Sequence, residues 1–117
     1  MSGPAIDAEA FARLSEITGD DPVFLAELID TYLDDGATQV AALREAVASG
    51  ESASLTRPAH TLKSSSASIG ALSLAELCRS LEADSRAGIV GDAAARVDAI
   101  AAAFESVGRE LQAGRSR

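Results

Sequence analysis

Apolar side chains recur at helical spacing through almost the whole chain, and that periodicity constrains the fold more than any other feature. Phe24, Leu25, Leu28, Ile29, Tyr32 and Leu33 form one stripe, and Val40, Leu43 and Val47 continue it. Leu55, Ala59, Leu62, Ser66 and Ile69 form a second stripe, and Leu74, Leu77, Cys78 and Leu81 a third. Val97, Ile100, Ala101, Phe104, Val107 and Leu111 form a fourth. Each matches the 3.6-residue period of an amphipathic helix, and no convincing strand pattern interrupts them. Aromatic residues make up only 3% of the chain and tryptophan is absent, whereas alanine and leucine abound, which again favours closely packed helices over sheets. The expected architecture is all-α: an antiparallel up-down-up-down four-helix bundle with a short N-terminal extra helix acting as a lid.

Local signals set the boundaries. Asp7 caps a short helix carrying Phe11 and Leu14, which runs to about Ile17 and ends at Gly19. Asp21-Pro22 is a helix start, with aspartate at the cap and proline at the first position. The stripe nearly keeps phase across Gly36, so Pro22 to Gly50 reads as one long helix bent at Gly36, with two helices and a tight break as the alternative. Ser52 or Ser54 opens the next helix and Gly70 ends it or allows close packing. Pro58 falls near its start: either the helix begins near Ser54, or it kinks before residue 60, and an early kink or loose first turn is favoured. Ser73-Leu74-Ala75-Glu76 has the form of a capping box. Gly88 and Gly91 bracket a loop, Asp92 caps the last helix, and Gly114 to Arg117 should fray.

With 117 residues, the chain (1–117) is expected to form a single domain with a real core. One cysteine, Cys78, excludes an internal disulfide and suits a reducing compartment; it reads as a small core residue. One His and one Cys are too few soft ligands for a transition-metal site. A net charge of −8 argues against nucleic acid as a partner, and no apolar run approaches a membrane span. Met1 to Asp7 lacks the basic and apolar regions of a signal peptide, so a cytoplasmic location is expected.

The only histidine stands apart from the stripes. Measured from the mean inward direction of the second stripe, His60 lies roughly 140° round the helix, Lys63 roughly 80°, Ser64 roughly 180° and Ala67 roughly 120°. His60 is therefore an exposed imidazole beside a lysine, among small side chains that leave room for another protein's active site to close over it. Neutral imidazole is a competent nucleophile near neutral pH, which makes His60 a candidate phosphoryl carrier. Lys63, one turn on, can set its ammonium near phosphoryl oxygens. Glu82, brought near by antiparallel packing across the Gly70 turn, can accept from one ring nitrogen and sharpen the other, the orienting logic of a catalytic triad. Taken singly these residues have ordinary explanations: a solvated histidine, a solvated lysine, serines that ease packing, and a Glu82 paired with Arg79 or Arg86.

Together they carry a resemblance. Ala59-His60-Thr61-Leu62-Lys63-Ser64-Ser65-Ser66-Ala67-Ser68-Ile69-Gly70-Ala71, followed by Leu74, Leu77-Cys78-Arg79 and Leu81-Glu82, resembles the histidine phosphotransfer (HPt) domain family; the likeness spans roughly 21–86. It implies a four-helix bundle in which His60 takes a phosphoryl group from a receiver-domain phospho-aspartate and passes it to another aspartate in a two-component phosphorelay. It also implies that Lys63 supports the phosphoryl group, and that Glu82 contacts the imidazole as a Glu or Gln does in some members. It implies further that the chain has no kinase activity of its own, and that Mg²⁺ comes from the partner receiver rather than from a cofactor of this chain. The implied partners are response-regulator receiver domains and a hybrid sensor histidine kinase, docking on Thr56, Arg57, Ser64, Ala67, Ser68 and Ala71 with neighbours on the long second helix. Two features depart from the pattern: Ser64 stands where members commonly have glycine, and Pro58 lies two residues before His60. Two alternatives stay open, a phosphotransfer domain excised from a larger histidine kinase and a non-catalytic receiver-binding module.

Overall fold

The Asp7 carboxylate accepts the Ala10 N–H at 2.9 Å and starts the first helix, α1 (Ala8–Ile17). In the computed structural model, which describes residues 5–115, four further helices follow: α2 (Pro22–Ser49), α3 (Thr56–Ile69), α4 (Leu72–Arg86) and α5 (Ala93–Arg115). No strand occurs among the described residues.

Asp21 caps α2 through the Val23 and Phe24 N–H groups, with Pro22 at the first position where a missing N–H costs nothing. The helix then runs through Gly36 without a break. Gly36 is a packing site rather than a hinge: a Cβ there would lie 2.3 Å from Phe104 Cε1 on α5. Only glycine lets that ring reach the α2 backbone, where it meets Tyr32 with ring centroids 5.8 Å apart.

The start of α3 differs from the expectation. Neither Ser52 nor Ser54 caps it; a 3₁₀ turn (Ser52–Leu55) leads straight into Thr56, and the Ser54 hydroxyl bonds Glu51 instead. This is the loose first turn. It leaves Pro58 in the first turn of α3, where its missing N–H has no helical partner to lose.

The turn from α3 to α4 explains a second departure. Gly70 adopts φ +91°, a left-handed conformation that costs a glycine little. The Gly70 N–H then bonds Ala67 O at 3.2 Å and the Ala71 N–H bonds Ser66 O at 2.8 Å, a Schellman ending. That fastens Ala71, fully buried, as the residue preceding α4. The helix therefore starts at Leu72, ahead of the expected Ser73 cap; Ser73 makes no capping bond and Glu76 pairs with Arg79.

Along the bundle, α2 packs on α3 and α5, and α4 completes the ring between α3 and α5. Pairings such as His60 with Glu82, Thr56 with Ser85 and Arg44 with Asp98 run in opposite chain directions, as antiparallel neighbours require. Ile29, Leu43, Leu62, Leu81, Ile100 and Leu111 are all but inaccessible at its centre; each such side chain contributes about 1.5–3 kcal/mol of burial. Phe24 and Leu77, expected in the stripes, lie on the flanks instead, 48% and 40% exposed. The inward Ser66 is satisfied by the Tyr32 hydroxyl at 2.8 Å. Ahead of α1, Glu110 accepts the Ala5 and Ile6 N–H groups, and the Asp7 N–H bonds Gly70 O at 2.8 Å, so the lid is tied to α5 and to the α3–α4 turn. The fraying expected of Gly114 to Arg117 does not include Gly114 and Arg115, which are helical; Ser116 and Arg117 lie outside the described residues.

Candidate functional site

The amphipathic turn of α3 buries Ala59 and Leu62 and so sets His60 outward; its side chain is 52% exposed. One turn later Lys63 lies on the seam with α4. Across the seam α4 turns Leu81 and Cys78 into the core, and Glu82 follows them inward until its carboxylate is only 5% exposed.

That buried carboxylate holds three cationic or proton-bearing groups. His60 Nδ1 lies 2.9 Å from Glu82 Oε2, and Arg86 Nη2 is 2.9 Å from the same oxygen. Lys63 Nζ is 2.7 Å from Oε1, an ion pair with the same carboxylate. The Lys63 ammonium, and after it the His60 hydrogen bond, hold the Glu82 carboxyl below the usual carboxylate range against the opposing effect of burial. Glu82 is thus ionised near neutral pH and can only accept. Nδ1 therefore carries a proton, and in the neutral ring it is Nε2 that has the free lone pair. Of the two arginine pairings open to Glu82, the structure has Arg86; Arg79 is taken by Glu76. Ion pairing and imidazole orientation coexist on one carboxylate.

A hydroxyl relay steadies this arrangement. The Ser85 hydroxyl donates to Glu82 O at 2.9 Å, so the 2.8 Å contact between Thr56 and Ser85 has Thr56 as donor. It fixes the register of α3 on α4 one turn from the site. Sequence reasoning missed it: the hydroxyls are far apart in the chain and neither carries a motif. The engagement of Arg86 was visible only as an i, i+4 pairing with Glu82.

The expected docking residues divide. Arg57, Ser64, Ala67 and Ser68 are exposed on the His60 side. Thr56 is half-buried and spends its hydroxyl on Ser85. Ala71 is a correction: the Schellman turn leaves it fully buried, out of a partner's reach. A groove lined by Leu28, Thr31 and Asp35 of α2 and Ser65 and Ser68 of α3 continues the face toward the second helix. Cys78 is buried and free, its thiol pushed up to about 12 by burial, which makes it a core residue rather than a nucleophile. Among the described residues no group of three or more His, Cys, Asp or Glu side chains could hold a metal. At the site itself, one carboxylate surrounded by Lys63, Arg86 and His60 does not fit a divalent cation. No helix among the described residues is long and apolar enough to cross a membrane.

Comparison with known proteins points the same way. The family model for the Hpt domain matches residues 27–113. The crystal structure of histidine-containing phosphotransfer protein B (HptB) from Pseudomonas aeruginosa PAO1 superposes with a TM-score of 0.88 at 31% sequence identity, over 99% of this chain and 98% of that one. No curated protein gives a significant sequence match.

Proposed function

Because this chain belongs to the Hpt domain family, we propose that its part in a phosphorelay is carried by His60, with Glu82 orienting the ring and Lys63 supporting the phosphoryl group. The protein is a histidine phosphotransfer protein, and its family works with response-regulator receiver domains. The observation that carries the residue assignment is the 2.9 Å contact from Nδ1 of an exposed imidazole to a buried, ionised carboxylate.

The chemistry follows from that contact. Nε2 attacks the phosphorus of an aspartyl phosphate; the N–P bond forms as the P–O bond breaks, and the aspartate leaves as a carboxylate. The ring keeps its Nδ1 proton and becomes cationic, and the Glu82 carboxylate offsets that charge. Release to a second receiver is the same step reversed. Lys63, already within reach of Glu82, can swing its ammonium toward the phosphoryl oxygens as a flexible point charge. Hpt proteins are phosphoryl carriers, and this chain acts as a carrier without kinase activity of its own. Mg²⁺ belongs to the partner receiver, and a hybrid sensor histidine kinase is the upstream source. Docking uses Arg57, Ser64, Ala67 and Ser68, with the α2 side of the groove. We place the exchange in the cytoplasm, where a reduced Cys78 is at home.

The test is phosphoryl transfer from a panel of phosphorylated receiver domains to wild type and to His60→Gln, followed by intact mass. Acid-labile label on wild type alone is expected, with the fold of the variant unchanged. Label of equal amount on His60→Gln would refute the assignment. Receiver binding without transfer would point to a binding module instead.

A further inference from the structure

Four serines crowd the helix after His60, and three are committed within the fold. The Ser65 hydroxyl donates back to Thr61 O at 3.1 Å and to Leu62 O at 3.3 Å. The Ser68 hydroxyl donates to Ser64 O at 3.1 Å, and Ser66 shares its buried bond with Tyr32. Ser64 is the exception. It is exposed, and its hydroxyl takes no partner among the described residues. A serine inside a helix has a ready acceptor in the carbonyl one turn back, so an uncommitted hydroxyl there is free to serve something else.

Position decides what it meets. Ser64 follows His60 by four residues, which puts the two Cβ atoms about 6 Å apart on one helix face. Helical side chains lean toward the N-terminus, so the Ser64 hydroxyl overhangs the turn that carries His60. Lys63, the charged neighbour, is drawn toward Glu82 on the other flank, with Nζ 2.7 Å from Oε1. Ser64 is thus the uncommitted uncharged donor on the solvent side of the imidazole.

We propose, resting on the assignment of His60 as phosphoryl acceptor, that the Ser64 hydroxyl donates a hydrogen bond to a phosphoryl oxygen on His60 Nε2. No bond is made or broken in this: the serine keeps its proton and the N–P bond stays intact. The contact exists only in the phosphorylated state. It lengthens the life of phosphohistidine and biases exchange with aspartyl phosphate toward the histidine. A glycine at this position could not supply it.

The experiment loads wild type, Ser64→Ala, Ser64→Gly, Ser64→Thr and His60→Gln with phosphoramidate, which phosphorylates imidazole without a protein donor, and follows loss of acid-labile label by intact mass. Ser64→Ala and Ser64→Gly should lose label about three- to tenfold faster than wild type, the net range of one ordinary hydrogen bond, as suits a solvent-screened contact. Ser64→Thr, which keeps the hydroxyl, should restore the slow rate. Equal lifetimes in wild type and Ser64→Ala would overturn the inference and leave the carrier role of His60 standing. So would an effect of glycine that alanine does not share, which would mark backbone loosening. Equal label on His60→Gln would overturn the carrier assignment itself, and this inference with it.

Discussion

Substitution of Gly36 by alanine tests how α2 and α5 meet. In an isolated helix the change should help, since alanine is favoured over glycine at an interior position by about 1 kcal/mol. Here the new Cβ would lie 2.3 Å from Phe104 Cε1 and 2.6 Å from Cζ, where ordinary contact begins at 3.4 Å. The ring must retreat by about 1 Å, and overpacking of that kind costs about 1–3 kcal/mol. Retreat also disturbs the contact with Tyr32, and an aromatic pair contributes about 0.5–1.5 kcal/mol beyond its buried area. The net expectation is a loss of about 1–2 kcal/mol, seen as a melting temperature lower by about 4–10 °C for a domain of this size. Thermal and urea unfolding followed by far-UV circular dichroism measure it. The control is Phe104→Leu, which removes the Cε1 and Cζ atoms; in that background Gly36→Ala should be neutral or stabilising by about 1 kcal/mol. A wild-type background stabilised by alanine, or the same loss in both backgrounds, would refute the close-packing account.

Four further outcomes follow from the site and the core. Glu82→Gln keeps an oxygen to accept from Nδ1 but removes the charge proposed to offset a phosphorylated ring, so transfer in a stopped reaction should slow by about tenfold. Its stability should differ in pH dependence too. A carboxyl held below its ordinary value of 4.5 stabilises the fold fully above that value, and the benefit fades as pH falls through the lower folded value. Wild type should therefore lose melting temperature more steeply than Glu82→Gln between about pH 5 and 3, and parallel curves would count against an ionised hub. Lys63→Ala should slow transfer or shorten the phosphohistidine lifetime, and unchanged kinetics would reduce Lys63 to a structural partner of Glu82. Cys78, with its thiol pushed up to about 12 and no accessible surface, should react with alkylating reagents only as the protein unfolds; rapid stoichiometric labelling of the native protein would show that α4 opens readily.

The sequence by itself determined which segments are helical and which face each helix buries. Apolar spacing is a local property, and so are the caps: Asp7 and Asp21 act within three residues of themselves, with no need of the rest of the chain. The outward placement of His60 follows from helical pitch alone once Ala59 and Leu62 are known to face inward. The closeness of Glu82 to His60 could be anticipated because a single tight turn at Gly70 joins their helices, leaving little freedom in how α3 and α4 align. Tertiary structure decided the rest. Gly36 looks like a hinge until Phe104 arrives from a helix far along the chain. Ser73-Leu74-Ala75-Glu76 has the composition of a capping box, but the Schellman turn starts α4 two residues too early for it. Ala71 looks like a surface alanine until that turn buries it. The commitment of a single carboxylate to His60, Lys63 and Arg86 together depends on three side chains from two helices converging at one buried point. Spacing along a helix reports direction around its axis; it does not report what stands opposite, and what stands opposite His60 is a buried carboxylate that accepts from its Nδ1.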